Sequence, residues 1–376
     1  MKNKLGFGFL RLPKAAEGYD WDAVRQMVDT FLARGGTYFD TCYTYLDGQS
    51  EEGIRRCLAE RYPRERFQLA EKLPGYLCKR YEDAQRFFDE ELKRCGVTYF
   101  DVYMLHWLNA KHYTMAETHD QFRFLREKKA EGTAKRIGFS YHDSAALLDR
   151  ILMAHPEVDV VQLQINYLDW DSAGIESRKC YETCVRHGKK VIVMEPVKGG
   201  TLAVLPPEAE KLLCAVHPDW TPSAWALRFV QSLPEVEICL SGMNAVTQVE
   251  ENLQPFDPLG ERELDCLRQV CGIIEAQTAV ACTDCRYCVA HCPQQIHLLL
   301  VSKEAGQVSQ GQLEDPPCIP PADSRQRKSL GLHWLPQLCE ALPAEAGDTG
   351  ISETSRRKSG SMIQALAICL CVIKKQ

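Results

Sequence analysis

The stretch Gly35-Gly-Thr-Tyr-Phe-Asp40-Thr-Cys-Tyr-Thr-Tyr45 decides how the rest of the chain is read. Two glycines close a helical stretch, a short apolar run follows, and the run stops on an aspartate with aromatic residues beyond it. That is one helix feeding one strand with a polar end. Working outward, the unit repeats. Apolar, β-rich runs fall at 5–12, 38–42, 67–72, 100–106, 134–141, 160–167, 190–196 and 236–242. Amphipathic helical stretches lie between them at 21–34, 50–60, 82–94, 119–131, 144–153, 177–187, 222–232 and 246–253.

The strand runs are nearly continuous apolar, as expected for strands buried on both faces. Regular alternation predicts a parallel sheet, and eight units predict closure into an α/β fold, the (β/α)8 TIM barrel. A chain of 376 residues, 45% hydrophobic, has the material for such a core. Function in a barrel of this kind sits where strands end and βα loops begin. Polar residues collect at those ends: Asp40, Lys72, His106, Ser140, Asn166 and Glu195.

Four side chains stand at consecutive strand ends: Asp40, Tyr45 five residues later, Lys72 and His106. Alone, each has a bland reading as a loop cap, a packing tyrosine or a structural histidine. As an ordered set they resemble the tetrad of the aldo/keto reductase family, which implies carbonyl reduction: a hydride on carbon and a proton on oxygen. A free phenol titrates near 10, and an adjacent ammonium favours its phenolate. Lys72 is therefore expected to lower the pKa of Tyr45, with Asp40 holding Lys72 charged. Tyr45 is the expected general acid, and His106 the group that orients the substrate oxygen.

Over about residues 4–255 the chain resembles the aldo/keto reductase family, a barrel with this tetrad. The resemblance extends to Ser50-Glu51, Ile137-Gly-Phe-Ser140, Val161-Gln-Leu-Gln-Ile-Asn-Tyr167, Met194-Glu-Pro-Val-Lys-Gly-Gly200 and Ser241-Gly-Met-Asn244. It implies a nicotinamide cofactor, NADP(H) or NAD(H), extended across the barrel mouth, and a small carbonyl or alcohol substrate. Ser140 and Gln162 match positions that hold the nicotinamide carboxamide, and Ser241, Gln248 and Asn252 match positions at the adenosine end. Lys198 lies near enough in its motif to reach phosphate. Three positions depart from the pattern. Tyr141 replaces a usual Asn, Glu195 stands where many members stack an aromatic ring, and Gln248 stands where many place an arginine against the 2′-phosphate. The last change weakens strict preference for NADPH.

A different signal follows the barrel. Cys282-x2-Cys285-x2-Cys288-x3-Cys292-Pro293 matches the bacterial ferredoxin spacing. It predicts one [4Fe–4S] cluster; zinc is the rival, but zinc knuckles are usually a dozen or more residues apart. The fourth ligand is Cys292 or a remote cysteine such as Cys266 or Cys271. Some members of the family carry a similar run after the barrel. Of the 18 cysteines, Cys57, Cys95, Cys180, Cys184, Cys214 and Cys239 read as buried small hydrophobes.

The expected organisation is a barrel over 1–258, a helix plus iron–sulfur segment over 259–300, and a low-order tail over 301–376, rich in Ser, Gly, Pro and charge. The N-terminal residues lack the apolar run of a secretory signal, so a cytoplasmic location is expected. Residues 362–373 are apolar but span only about 18 Å as a helix, too short for a membrane core. With net charge −6 and no long basic block, nothing predicts nucleic-acid binding. A redox partner protein is compatible with the cluster. A second reading of the same residues is a cofactor-binding redox sensor with little turnover.

Overall fold

A computed structural model of the chain describes residues 4–255 and 257–277. The chain divides into two compact units, Met1–Ile274 and Glu275–Gln376. The expected cluster ligands Cys282, Cys285, Cys288 and Cys292, and the whole 301–376 tail, lie outside the described residues.

The first unit is a closed parallel barrel in sequence order. Its strands are β1 (Leu5–Gly8), β2 (Tyr38–Asp40), β3 (Gln68–Leu73), β4 (Phe100–Leu108), β5 (Ala134–Tyr141), β6 (Val160–Gln164), β7 (Lys190–Met194) and β8 (Val236–Gly242). The helices are α1 (Trp21–Ala33), α2 (Gln49–Ile54), α3 (Tyr81–Cys95), α4 (Ala110–Thr118), α5 (Gln121–Ala130), α6 (Ala145–Ala154), α7 (Ser177–Arg186), α8 (Pro207–Val216), α9 (Pro222–Ser232), α10 (Val246–Asn252) and α11 (Glu261–Gln277). The expected fold class is therefore observed.

Local chemistry sets several boundaries. Asp20 and Asn109 accept the backbone N–H three residues on, at 2.9 Å each, and so cap α1 and α4. Gly96 ends α3 with φ of 70°, a left-handed turn that glycine adopts without steric cost. Gly138 on β5 lies against the neighbouring strand: a Cβ there would stand 2.3 Å from the Val160 carbonyl oxygen.

Two elements differ from expectation. Helix α4, within 107–118, and helix α8, at 207–216, lie outside the helical stretches read from the sequence. Neither carries a broad apolar stripe: α4 buries only Ala116, and α8 only Ala209 and Leu213. The helix after the barrel begins at Glu261 and buries Cys266, Leu267 and Val270. The first compact unit runs to Ile274 and takes in most of this helix. Cys214, expected to be buried, is exposed, while the other five cysteines named with it are buried.

Inside the barrel Tyr38, Ala70, Val102, Met104, Val160, Ile192 and Leu240 pack as one apolar plug. One step further along the strands the inward residues become polar: Asp40, Lys72, Ser140 and Gln162. The plug is the floor of the site. A depression at the opposite end, lined by Lys4, Gly36, Gln68, Lys190 and Glu237, lies at the strand starts, where the fold carries stability rather than chemistry.

Candidate active site

The deepest element of the site is an ion pair. Lys72 Nζ donates to Asp40 Oδ1 at 2.5 Å and to the Thr41 carbonyl at 2.8 Å. Lys72 is fully buried and Asp40 nearly so. Burial opposes the ammonium, but the Asp40 carboxylate, paired with it and accepting its hydrogen bond, outweighs burial and holds Lys72 protonated. Burial raises Asp40, against the pull of Lys72 and of Gln162, whose Nε2 donates to Asp40 Oδ2 at 3.3 Å.

Tyr45 opens a tight turn in which Leu46, Asp47 and Gly48 all have positive φ, at 53°, 54° and 84°. Left-handed backbone is costly for Leu46, and such strain gathers at functional loops. The Lys72 ammonium lies 5.0 Å from the centre of the Tyr45 ring. The His106 ring stands edge-on to Tyr45 with centroids 5.9 Å apart. The expected lowering of the Tyr45 pKa does not occur in the protein alone: burial raises it, and Lys72 offsets only part of that rise. The phenol therefore keeps its proton at neutral pH, as a proton donor must.

His106 is aimed by an irregularity in β4. Leu105 pairs with Phe139 and Leu108 with Tyr141, so β4 holds one extra residue there. Bulges of this kind re-aim side chains beside active sites. Burial, and then the nearby charge of Lys72, push His106 down to about 3, leaving a neutral imidazole. Its Nδ1 lies 3.1 Å from Cys42 Sγ. Outside it, Tyr76, Trp107 and His112 form an aromatic wall; Tyr76 stacks on His112 at 5.4 Å, and Trp107 meets His112 at 5.0 Å.

The remaining expected residues spread along the mouth. Ser140 is buried, and its hydroxyl has no hydrogen-bond partner among the described residues. Gln162 is buried beside it on β6. Asn252 Nδ2 donates to Ser241 Oγ at 3.2 Å, and Gln248 accepts from the Asn244 backbone at 2.8 Å. Glu195 has φ of 57° and faces Arg11 at 3.9 Å. Lys198 is tied to another loop: its Nζ donates to Asp169 Oδ1 at 2.5 Å.

Sequence reasoning missed Arg11. It is exposed, its guanidinium comes close to Gly199 and Glu195, and its side chain packs over Gly242. It therefore bridges the loops after β7 and β8. An arginine just past the first strand gave no signal of that placement.

Residues 4–270 match the aldo/keto reductase family. The chain belongs to that family. A curated relative, the NADH-specific methylglyoxal reductase of Escherichia coli (strain K12), is 28% identical over 207 residues, covering 49% of this chain. The match spans 60% of that relative's length. Among solved structures, the aldo-keto reductase AKR11C1 from Bacillus halodurans in its holo form superposes with a TM-score of 0.59 at 22% identity. It covers 71% of this chain and 91% of that one. An aldo/keto reductase from Klebsiella pneumoniae in complex with NADP and acetate gives 0.58 at 21%, covering 71% and 90%. At this identity the two structures speak to the fold. No described helix is long and apolar enough to cross a membrane.

Proposed function

We infer that the barrel is an NAD(P)H-dependent oxidoreductase that reduces a small carbonyl compound to an alcohol. The observation that carries this reading is the convergence of Tyr45 and His106 above a buried Lys72–Asp40 pair at the strand ends. The site fits a nicotinamide on one point of chemistry: the buried, unpartnered Ser140 hydroxyl offers a hydrogen bond to a carboxamide, with Gln162 beside it. The bound nicotinamide supplies the hydride.

The chain's own residues do the rest. Tyr45, kept protonated by burial, donates its proton to the carbonyl oxygen as negative charge develops there. The Lys72 ammonium favours the phenolate left behind, and Asp40 keeps Lys72 in place. His106, neutral, hydrogen-bonds the same oxygen and orients it. Tyr76, Trp107 and His112 wall the substrate side with flat apolar surface and exclude water.

Along the cofactor groove, Ser241 and Asn252 serve the adenosine end. Arg11, which bridges the loops after β7 and β8, and Lys198 would offer cations to the pyrophosphate. Gln248 brings no charge to a 2′-phosphate, so NADH is accepted alongside NADPH. The NADH-specific relative is in line with that. We further read the cysteine run as ligating one [4Fe–4S] cluster, on its spacing alone; no step of the reduction is routed through it. A cytoplasmic enzyme with a single barrel over 1–258 and a cluster segment over 259–300 completes the reading.

Anaerobically purified protein should oxidise NADH or NADPH only when a small aldehyde or dicarbonyl is added. Tyr45→Phe should cut that rate by about 10²–10⁴-fold while leaving cofactor binding, followed by fluorescence quenching, intact. Equal inactivity of wild type and variant across a broad carbonyl panel would favour the redox-sensor reading. Iron and sulfide analysis tests the cluster separately.

A further inference from the structure

Cys42 sits between Asp40 and Tyr45, and no step above uses it. It is fully buried, and its Sγ lies 3.1 Å from His106 Nδ1. Two more hydroxyls continue outward from it. Cys42 Sγ is 3.6 Å from Thr44 Oγ1, and the Tyr76 hydroxyl donates to Thr44 Oγ1 at 3.4 Å. The groups form a chain from Tyr76 through Thr44 and Cys42 to the far nitrogen of His106.

A neutral imidazole carries one proton, on either nitrogen, and the partner of one nitrogen decides the state of the other. The two choices here are unequal. A bare imidazole nitrogen is a good acceptor, whereas a neutral thiol sulfur is a weak one. Burial also keeps the Cys42 thiol protonated, so it has a proton to donate. The competing acceptor, the Lys72 carbonyl, is farther from the sulfur, at 3.9 Å against 3.1 Å for the imidazole nitrogen. If Tyr76 donates to Thr44, Thr44 is free to donate to the sulfur, and hydrogen bonds in series strengthen one another.

We propose that the Cys42 thiol donates to Nδ1 of His106 and so places the imidazole proton on Nε2, facing the substrate. Cys42 is a positioning residue: it acts on the carbonyl oxygen through His106 and touches no reactant. The proposal rests on the reading of His106 as the group that hydrogen-bonds that oxygen. The opposite tautomer would present a lone pair there and repel the oxygen. The arrangement also ties the loop that bears Tyr76 to the state of His106, because the outer end of the chain is part of the aromatic wall.

The test uses full-length protein labelled with ¹⁵N-histidine, with His106→Gln to assign the resonances. Wild type should show His106 protonated at Nε2 and bare at Nδ1. Cys42→Ser keeps a donor and should keep that tautomer; Cys42→Ala should let both tautomers populate. In turnover, Cys42→Ala should lower kcat about tenfold with KM changed little, and Cys42→Ser should restore most of it. A wild-type His106 protonated at Nδ1, or an unchanged tautomer in Cys42→Ala, overturns the proposal. Should the alanine variant not fold, Thr44→Val weakens the same chain without touching the sulfur, and should broaden or shift the Nδ1 signal; an unmoved signal there counts against it. The tautomer is read without turnover. An inert wild type with the expected spectrum would therefore sink the carbonyl-reductase reading and leave only the placement of the His106 proton by Cys42 standing.

Discussion

Glu71 and Lys72 are neighbours in sequence, yet they belong to two buried polar clusters on opposite faces of β3. The inner one is matched: one ammonium against one carboxylate at 2.5 Å. The outer one is not. Glu51, Glu71 and Glu91 are all fully buried, with Cys95 beside them. Their donors are the Tyr103 hydroxyl on Glu91 at 2.6 Å, the Lys72 backbone N–H at 2.8 Å and the Cys95 thiol at 3.5 Å on Glu71, and Arg94 on Glu51 at 3.0 Å. One oxygen each of Glu51 and Glu91 has no partner among the described residues. Three carboxylates against one partly exposed guanidinium cannot all stay ionised in a low-dielectric interior. Burial, reinforced by mutual repulsion, drives Glu71 and Glu91 well above the usual carboxylate range, and burial drives Glu51 up to about 7. The inner cluster is neutralised by an ion; in the outer one protons neutralise Glu71 and Glu91, while Glu51 titrates beside the Arg94 guanidinium. The mouth therefore keeps its charges at working pH, while the carboxyls of the layer behind it depend on pH.

The contrast can be broken most severely at Lys72. Lys72→Met strands Asp40 in the core and should cost about 3–5 kcal/mol in urea unfolding, besides abolishing turnover. Adding Asp40→Asn should recover part of that stability and none of the activity. No recovery would mean that the two side chains are not one unit.

The outer cluster gives a smaller effect with a definite sign. A carboxyl whose pKa is raised on folding binds more protons in the native state, so its contribution is lost as pH rises from the unfolded pKa through the folded one. For Glu51 that window runs from about 4.5 to about 7. The Glu51 contribution to unfolding free energy should fall by roughly 2 kcal/mol between pH 5 and pH 8, and Glu71 and Glu91 deepen the fall in the same direction. A flat profile would mean that a bound cation, rather than protons, neutralises the cluster. The smallest change is Glu71→Gln. It keeps an acceptor for the Lys72 N–H and removes one ionisable group, so it should raise stability at pH 8 and flatten the pH slope.

The barrel was legible because each strand repeats one pattern: an apolar run closed by a polar residue. Asp40, Lys72 and His106 stood out since strand ends are countable in sequence. What stayed hidden depends on neighbours far apart along the chain. The Cys42–His106 contact spans 64 residues. Glu51, Glu71, Glu91 and Cys95 come from β3, α2 and α3, and only packing brings them together. Helix α4 hid for another reason: residues 110–118 carry no apolar stripe, and the Asn109 cap alone did not mark a helix. Lys198 could not be read because its partner Asp169 sits in another loop.

The plug beneath the ion pair has a kinetic side. Tyr38, Ala70, Val102, Met104, Val160, Ile192 and Leu240 seal the barrel axis with side chains, so no file of water reaches Tyr45 from below. In the proposed reaction the phenol must recover its lost proton through the same opening that admits the carbonyl compound. Refilling then waits on departure of the alcohol, and the catalyst breathes through one door.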